Sequence, residues 1–82
     1  MGYRLYLVYR DSGKCTGKKR DYPSYQHLIK YAKETFERYD REFYYNNTLT
    51  NLKAKLCFLN KENRWEEVSK EEIENIKKDW GL

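Results

Sequence analysis

Proline occurs once, histidine once and cysteine twice, and no apolar run is long enough to cross a bilayer or to form the core of a secretory signal. With neither to route it elsewhere, the chain is expected in the cytoplasm and away from membranes. Cys15 and Cys57 are too few for the disulfide framework of a small secreted domain, so both are expected as reduced, buried thiols. His27 does not complete a metal site with them, because zinc needs a fourth ligand and the short ligand spacing is missing. No two carboxylates are fixed across a cleft for acid–base work. These absences point to a chain that is not an enzyme and uses no metal or cofactor. The tripeptide Asn46-Asn47-Thr48 matches a glycosylation acceptor, but without a secretory signal it carries no weight.

What the chain does hold is charge and aromatic rings. Charged residues make up 37% of the 82 and aromatic residues 17%, nine of them tyrosine, so an aromatic-rich core under an ionised surface is expected. The length suits a single domain over residues 1–82.

Alternation and helical periodicity place the elements. In "YRLYLVYR", Tyr3, Leu5, Leu7 and Tyr9 alternate with Arg4, Tyr6, Val8 and Arg10, the period of a strand. Asp11-Ser12-Gly13-Lys14 supplies a turn, and a return strand from about Cys15 to Tyr22 completes a hairpin. Ser24 caps one long helix reaching Tyr39, with Tyr25, Leu28, Ile29, Ala32, Phe36 and Tyr39 on one face. Lys30, Lys33, Glu34, Glu37 and Arg38 fall away from that face. Residues 40–51 carry a less definite pattern, with "EFYY" readable as a short strand and "NNT" as a turn. "LKAKLCFLN" alternates again, "KEN" turns, and "RWEEV" reads as a short fourth strand. Ser69 and Glu72 then form a capping box, Val68 and Ile73 a hydrophobic staple, and Ile73, Ile76 and Trp80 one face of a short C-terminal helix ended by Gly81. The expected class is α+β, ordered ββαββα, with a four-stranded mixed sheet packed by the long helix.

That order resembles the β-grasp, or ubiquitin-like, fold. The segment "KLCFLNKENRWEEVSKEEIENI" resembles the part of Phox-and-Bem-type interaction domains where a strand leads through an acidic turn and a short strand into an S-x-x-E-[LI] helix. In that family a basic cluster on the first hairpin of one domain binds the acidic turn and helix of another, front to back. The resemblance puts Lys18, Lys19 and Arg20 on the basic side, and Glu62, Glu66, Glu67, Glu71 and Glu72 on the acidic side. Where the family's turn has successive carboxylates, this chain has Asn60, Lys61, Asn63 and Arg64.

Charge is segregated to match. Residues 10–20 carry five Lys or Arg against one Asp, and residues 62–74 carry six Glu against two basic residues. Two candidate surfaces follow: a basic one at Lys14, Lys18, Lys19 and Arg20, and an acidic one at Glu66, Glu67 and Glu71 with Trp65 as aromatic anchor. Tyr44 and Tyr45 are further anchors, whereas Trp80 belongs to the core. Glu71 and Glu72 are equally accounted for by their place in the first turn of a helix. The expected function is a protein–protein interaction module, an adaptor or small inhibitor of the kind phage or mobile elements encode, with head-to-tail self-association open to it. The alternative is a nucleic-acid-binding domain, in which the basic hairpin with Tyr6 and Tyr22 tracks a phosphate backbone. For that reading the hairpin and helix up to about Arg41 also resemble the small arm-type DNA-binding domains of phage integrases.

Overall fold

The structure, a computed structural model, describes residues 2–40 and 50–82. Its elements are β1 (Tyr3–Tyr9), β2 (Cys15–Tyr22), α1 (Tyr25–Tyr31), α2 (Lys33–Asp40), β3 (Leu52–Leu59), β4 (Trp65–Glu67) and α3 (Lys70–Trp80). Tyr44 and Tyr45 lie outside the described residues.

The alternation in β1 holds through Leu7, beyond which Val8 is buried as well and Tyr9 is exposed. Tyr3, Leu5 and Leu7 are buried against the helices, while Arg4 and Tyr6 take the other side of the sheet. Its turn is held by Asp11, whose Oδ1 accepts from the Ser12 N–H at 2.7 Å, and by Gly13 at φ 70°. β2 then pairs back onto β1 with an irregularity. The register runs Tyr6↔Lys19 and then Val8↔Cys15, so β2 spends more residues than β1 between the two pairs. Gly17, at φ 86°, takes up the excess, and the Thr16 hydroxyl donates to the Leu7 carbonyl at 3.0 Å to pin it.

The long helix is two helices, a correction to the expected single one. Leu28, Ala32 and Phe36 are all buried at a spacing of four, whereas a straight helix of about 3.6 residues per turn swings such a row by about 40° at each step. The break at Ala32 keeps all three facing the sheet, and the bonds Ala32 N–H to Leu28 C=O and Phe36 N–H to Ala32 C=O, each 2.9 Å, carry the chain through it. Ser24 caps α1 as expected, accepting from the His27 N–H at 3.3 Å.

Strand order is β2-β1-β3-β4, and every pairing is antiparallel. The expected mixed sheet is therefore corrected. α1 and α2 carry the chain from the end of β2 back along the sheet, so β3 runs with β2 and against β1, which lies between them. A turn on Asn60 joins β3 to β4: its Oδ1 accepts from the N–H groups of Glu62 and Arg64, each at 3.0 Å, and Asn63 takes φ 60°.

α3 starts and stops where its sequence says. Ser69 Oγ accepts from the Glu72 N–H at 3.2 Å, Val68 and Ile73 pack into the core cluster, and Gly81 ends the helix at φ 77°. The three described helices bury Leu28, Phe36, Ile76 and Trp80 on one side of the sheet. Leu28 at 0% exposure and Ile76 at 1% are the largest fully enclosed side chains among the described residues, each worth about 1.5–3 kcal/mol of apolar burial. The Phe36 and Trp80 rings meet at 5.2 Å between centres, and Trp80 Nε1 donates to the Ile29 carbonyl at 2.8 Å, tying α3 to α1 and α2.

Candidate functional site

Among the described residues β2 is an edge strand of the sheet. Gly2 accepts from the Leu59 N–H and Arg10 donates to the Asn51 carbonyl, so even-numbered residues of β1 bond to β3 and odd-numbered ones to β2. Pairs Tyr3↔Tyr22 and Leu5↔Arg20 are thus the hydrogen-bonded ones, and Lys19 and Asp21 turn their N–H and C=O outward. No described residue pairs with that edge.

Three of the four predicted basic residues come together there. Lys18, Lys19 and Arg20 are exposed on β2 and border a cleft of about 340 Å³ between β2 and α2, floored by Leu5 and Leu7. α2 adds Arg38, which the sequence placed only as a charge on the outer side of a helix, and Glu34 one turn before it. The 34/38 spacing was the sole sequence signal for this pair, since it puts both on one helical face. Lys14 stands apart: its carbonyl closes the turn to the Tyr9 N–H at 2.9 Å, beyond the irregularity at Gly17. Among the described residues cations therefore outnumber carboxylates at the cleft, Lys18, Arg20 and Arg38 against Glu34, while Lys19, which also borders it, pairs with Tyr6 on the open side of the sheet.

Asp21, the one acid on this edge, is already occupied. Arg4 grips its carboxylate through Nε at 2.5 Å and Nη2 at 2.9 Å, which holds the Asp21 carboxyl below the usual carboxylate range and pushes the guanidinium higher still. Arg4 also donates from Nη1 to the Tyr6 hydroxyl at 3.2 Å and lies 4.1 Å from the centre of the Trp65 ring. Tyr22, at the end of β2, is buried, and that burial raises its phenol, with Arg20 pulling weakly the other way.

The predicted acidic residues are not gathered in the same way. Trp65 and Glu67 lie on the open side of the sheet, and Lys55 Nζ approaches the Glu67 carboxylate at 3.7 Å. Glu66 points to the opposite side of β4, 3.4 Å from Asn60 Nδ2, and Glu71 is exposed in the first turn of α3. Trp65 is half-buried, its ring covered by Arg4.

Of the two thiols, Cys57 is buried and its burial raises it above the ordinary thiol range, while Cys15 is exposed, which corrects the expectation for that residue. Both are free. His27 Nδ1 sits 2.7 Å from the Ser24 hydroxyl at the start of α1. A second cleft, about 460 Å³, opens between β3 and α3, but its rim mixes signs: Lys77 meets Asp40 at 3.5 Å, and Lys55 meets Glu67.

Among the described residues no helix is long and apolar enough to cross a membrane. No protein-family model, curated protein or solved structure matches this chain.

Proposed function

We propose that this chain is a non-catalytic protein-interaction module, a cytoplasmic adaptor or small inhibitor, that holds a carboxylate-bearing partner at β2. The observation that carries the proposal is the convergence of Lys18 and Arg20 with Arg38 around one cleft, with Lys19 on the other face of the same strand, whose outer edge no described residue pairs. Opposed charge at such a patch steers encounter and fixes register even where each exposed pair is worth only about 0–1 kcal/mol. The front-to-back mode of the Phox-and-Bem-type domains, which the chain resembles in sequence, is in keeping with a basic first hairpin, while the all-antiparallel sheet departs from the mixed one expected of a β-grasp. A second copy, joined head to tail through its own Glu66 and Glu71, is one protein that would qualify as partner.

Edge strands also carry charge to discourage chance pairing. Arg38 favours the binding reading: it lies on a helix, where no edge needs protection, yet borders the same cleft. Affinity capture with the chain as bait, run beside the K18E/K19E/R20E variant, tests the proposal. Loss of a captured protein on reversal is expected; a partner set indifferent to reversal sinks it.

Nucleic acid is the second reading, favoured by Arg4, Tyr6 and Trp65 stacked on the open side of the sheet near Lys19 and Lys55. Binding to oligonucleotides that falls steeply with salt and disappears in K18E/K19E/R20E is its expected signature.

A further inference from the structure

We infer that the partner's acidic segment adds to the sheet as a fifth strand along β2, laying alternate carboxylates into the cleft beneath α2. This rests on the reading of β2 as the partner surface and says how that surface is used. Three features of the edge support it.

The first is the main chain. Lys19 and Asp21 present two N–H donors and two C=O acceptors outward, and no described residue uses them. An extended segment satisfies such a row by the same ladder that joins β2 to β1, which is how strand addition gains affinity.

The second is the alternation of side chains. Residues of an added strand opposite Lys18 and Arg20 point to the helix side, under Arg38, while their neighbours point to the open side, where Lys19 lies. A carboxylate at alternate positions therefore meets Lys18, Arg20 and Arg38. Glu34 is the single acid among the described residues lining that cleft, and Asp21 does not repel the newcomer because Arg4 already holds its carboxylate. Like charge bars the β2 of another copy from pairing with this edge, so the device that blocks most strands selects an acidic one.

The third is length. The irregularity at Gly17 interrupts the regular edge on one side and Pro23, which has no N–H, ends it on the other, leaving Lys18 to Tyr22 as the stretch whose outer side no described residue pairs. The segment that fits is short, with carboxylates at every second residue.

The test uses a peptide alternating glutamate and valine, a second with the same side chains but N-methylated along the edge that would face β2, and a third with lysine for glutamate, each titrated into the whole chain and followed through its amide NMR signals. The first peptide is expected to shift the Lys19 and Asp21 amides, slow their hydrogen exchange, and bind at least about tenfold more tightly than the other two. It is expected to lose at least about tenfold with R20E/R38E. Equal binding by the first and second peptides, without protection of Lys19 and Asp21, overturns strand addition while leaving an acidic partner at this patch. No binding of the first peptide at millimolar concentration overturns the cleft as an acidic-strand site. An oligonucleotide that binds more tightly than the first peptide and shifts Tyr6 and Trp65 instead overturns it in favour of nucleic acid.

Discussion

Arg4 holds Trp65 and Asp21 at once: its guanidinium lies 4.1 Å from the centre of the Trp65 ring on β4, and its Nε and Nη2 reach the Asp21 carboxylate at 2.5 and 2.9 Å on β2. One side chain on β1 thereby links β2 to β4 across the open side of the sheet.

Removing that cover exposes the ring. Arg4→Ala is expected to shift Trp65 fluorescence to longer wavelength and make it more open to acrylamide, while Trp80, buried under Phe36, keeps its emission. Spectra of Arg4→Ala in a Trp80→Phe background check this, and an unchanged Trp65 signal would count against the stack.

Acid should loosen the grip on Asp21. Its folded value is depressed by Arg4, so the stability it adds is complete above the ordinary carboxylate value and fades as pH falls through the lower folded value. Urea midpoints of wild type and Asp21→Asn are expected to differ near neutral pH and to converge in acid. A gap that widens on acidification is the contrary result.

The ends of α3 are local devices with separate costs. Ser69→Ala removes the acceptor for the Glu72 N–H and is expected to cost about 1 kcal/mol. Gly81→Ala, forced to φ 77°, is expected to cost about 1–2 kcal/mol. Urea denaturation of each measures both.

Core truncation should be far heavier. Ile76→Ala, at a residue 1% exposed, is expected to lose about 2–5 kcal/mol in the same assay. A loss like that of an exposed residue would mean that α3 does not close the core.

How much of this was legible in the chain depends on the range over which each feature is determined. Ser69, Glu72, Val68, Ile73 and Gly81 announce α3 because caps and staples act within a turn or two. The four strands and the core faces of the helices follow from periodicity for the same reason. Gly17 was not legible as an irregularity, since Cys15 to Tyr22 reads as uninterrupted strand until the register with β1 is known. Arg38 was hidden because its role depends on how α2 leans over β2, and Arg4 on Trp65 because the contact needs the order β2-β1-β3-β4. The acidic run looked like a surface in one dimension; a strand that alternates sides sends Glu66 and Glu67 apart.

The most direct test of the central claim is capture of partner by the wild-type chain, by K18E/K19E/R20E and by E66K/E67K/E71K, side by side. Reversing the basic edge is expected to abolish capture of a protein that the acidic reversal still retains. Retention by the basic reversal with loss in the acidic one would contradict it.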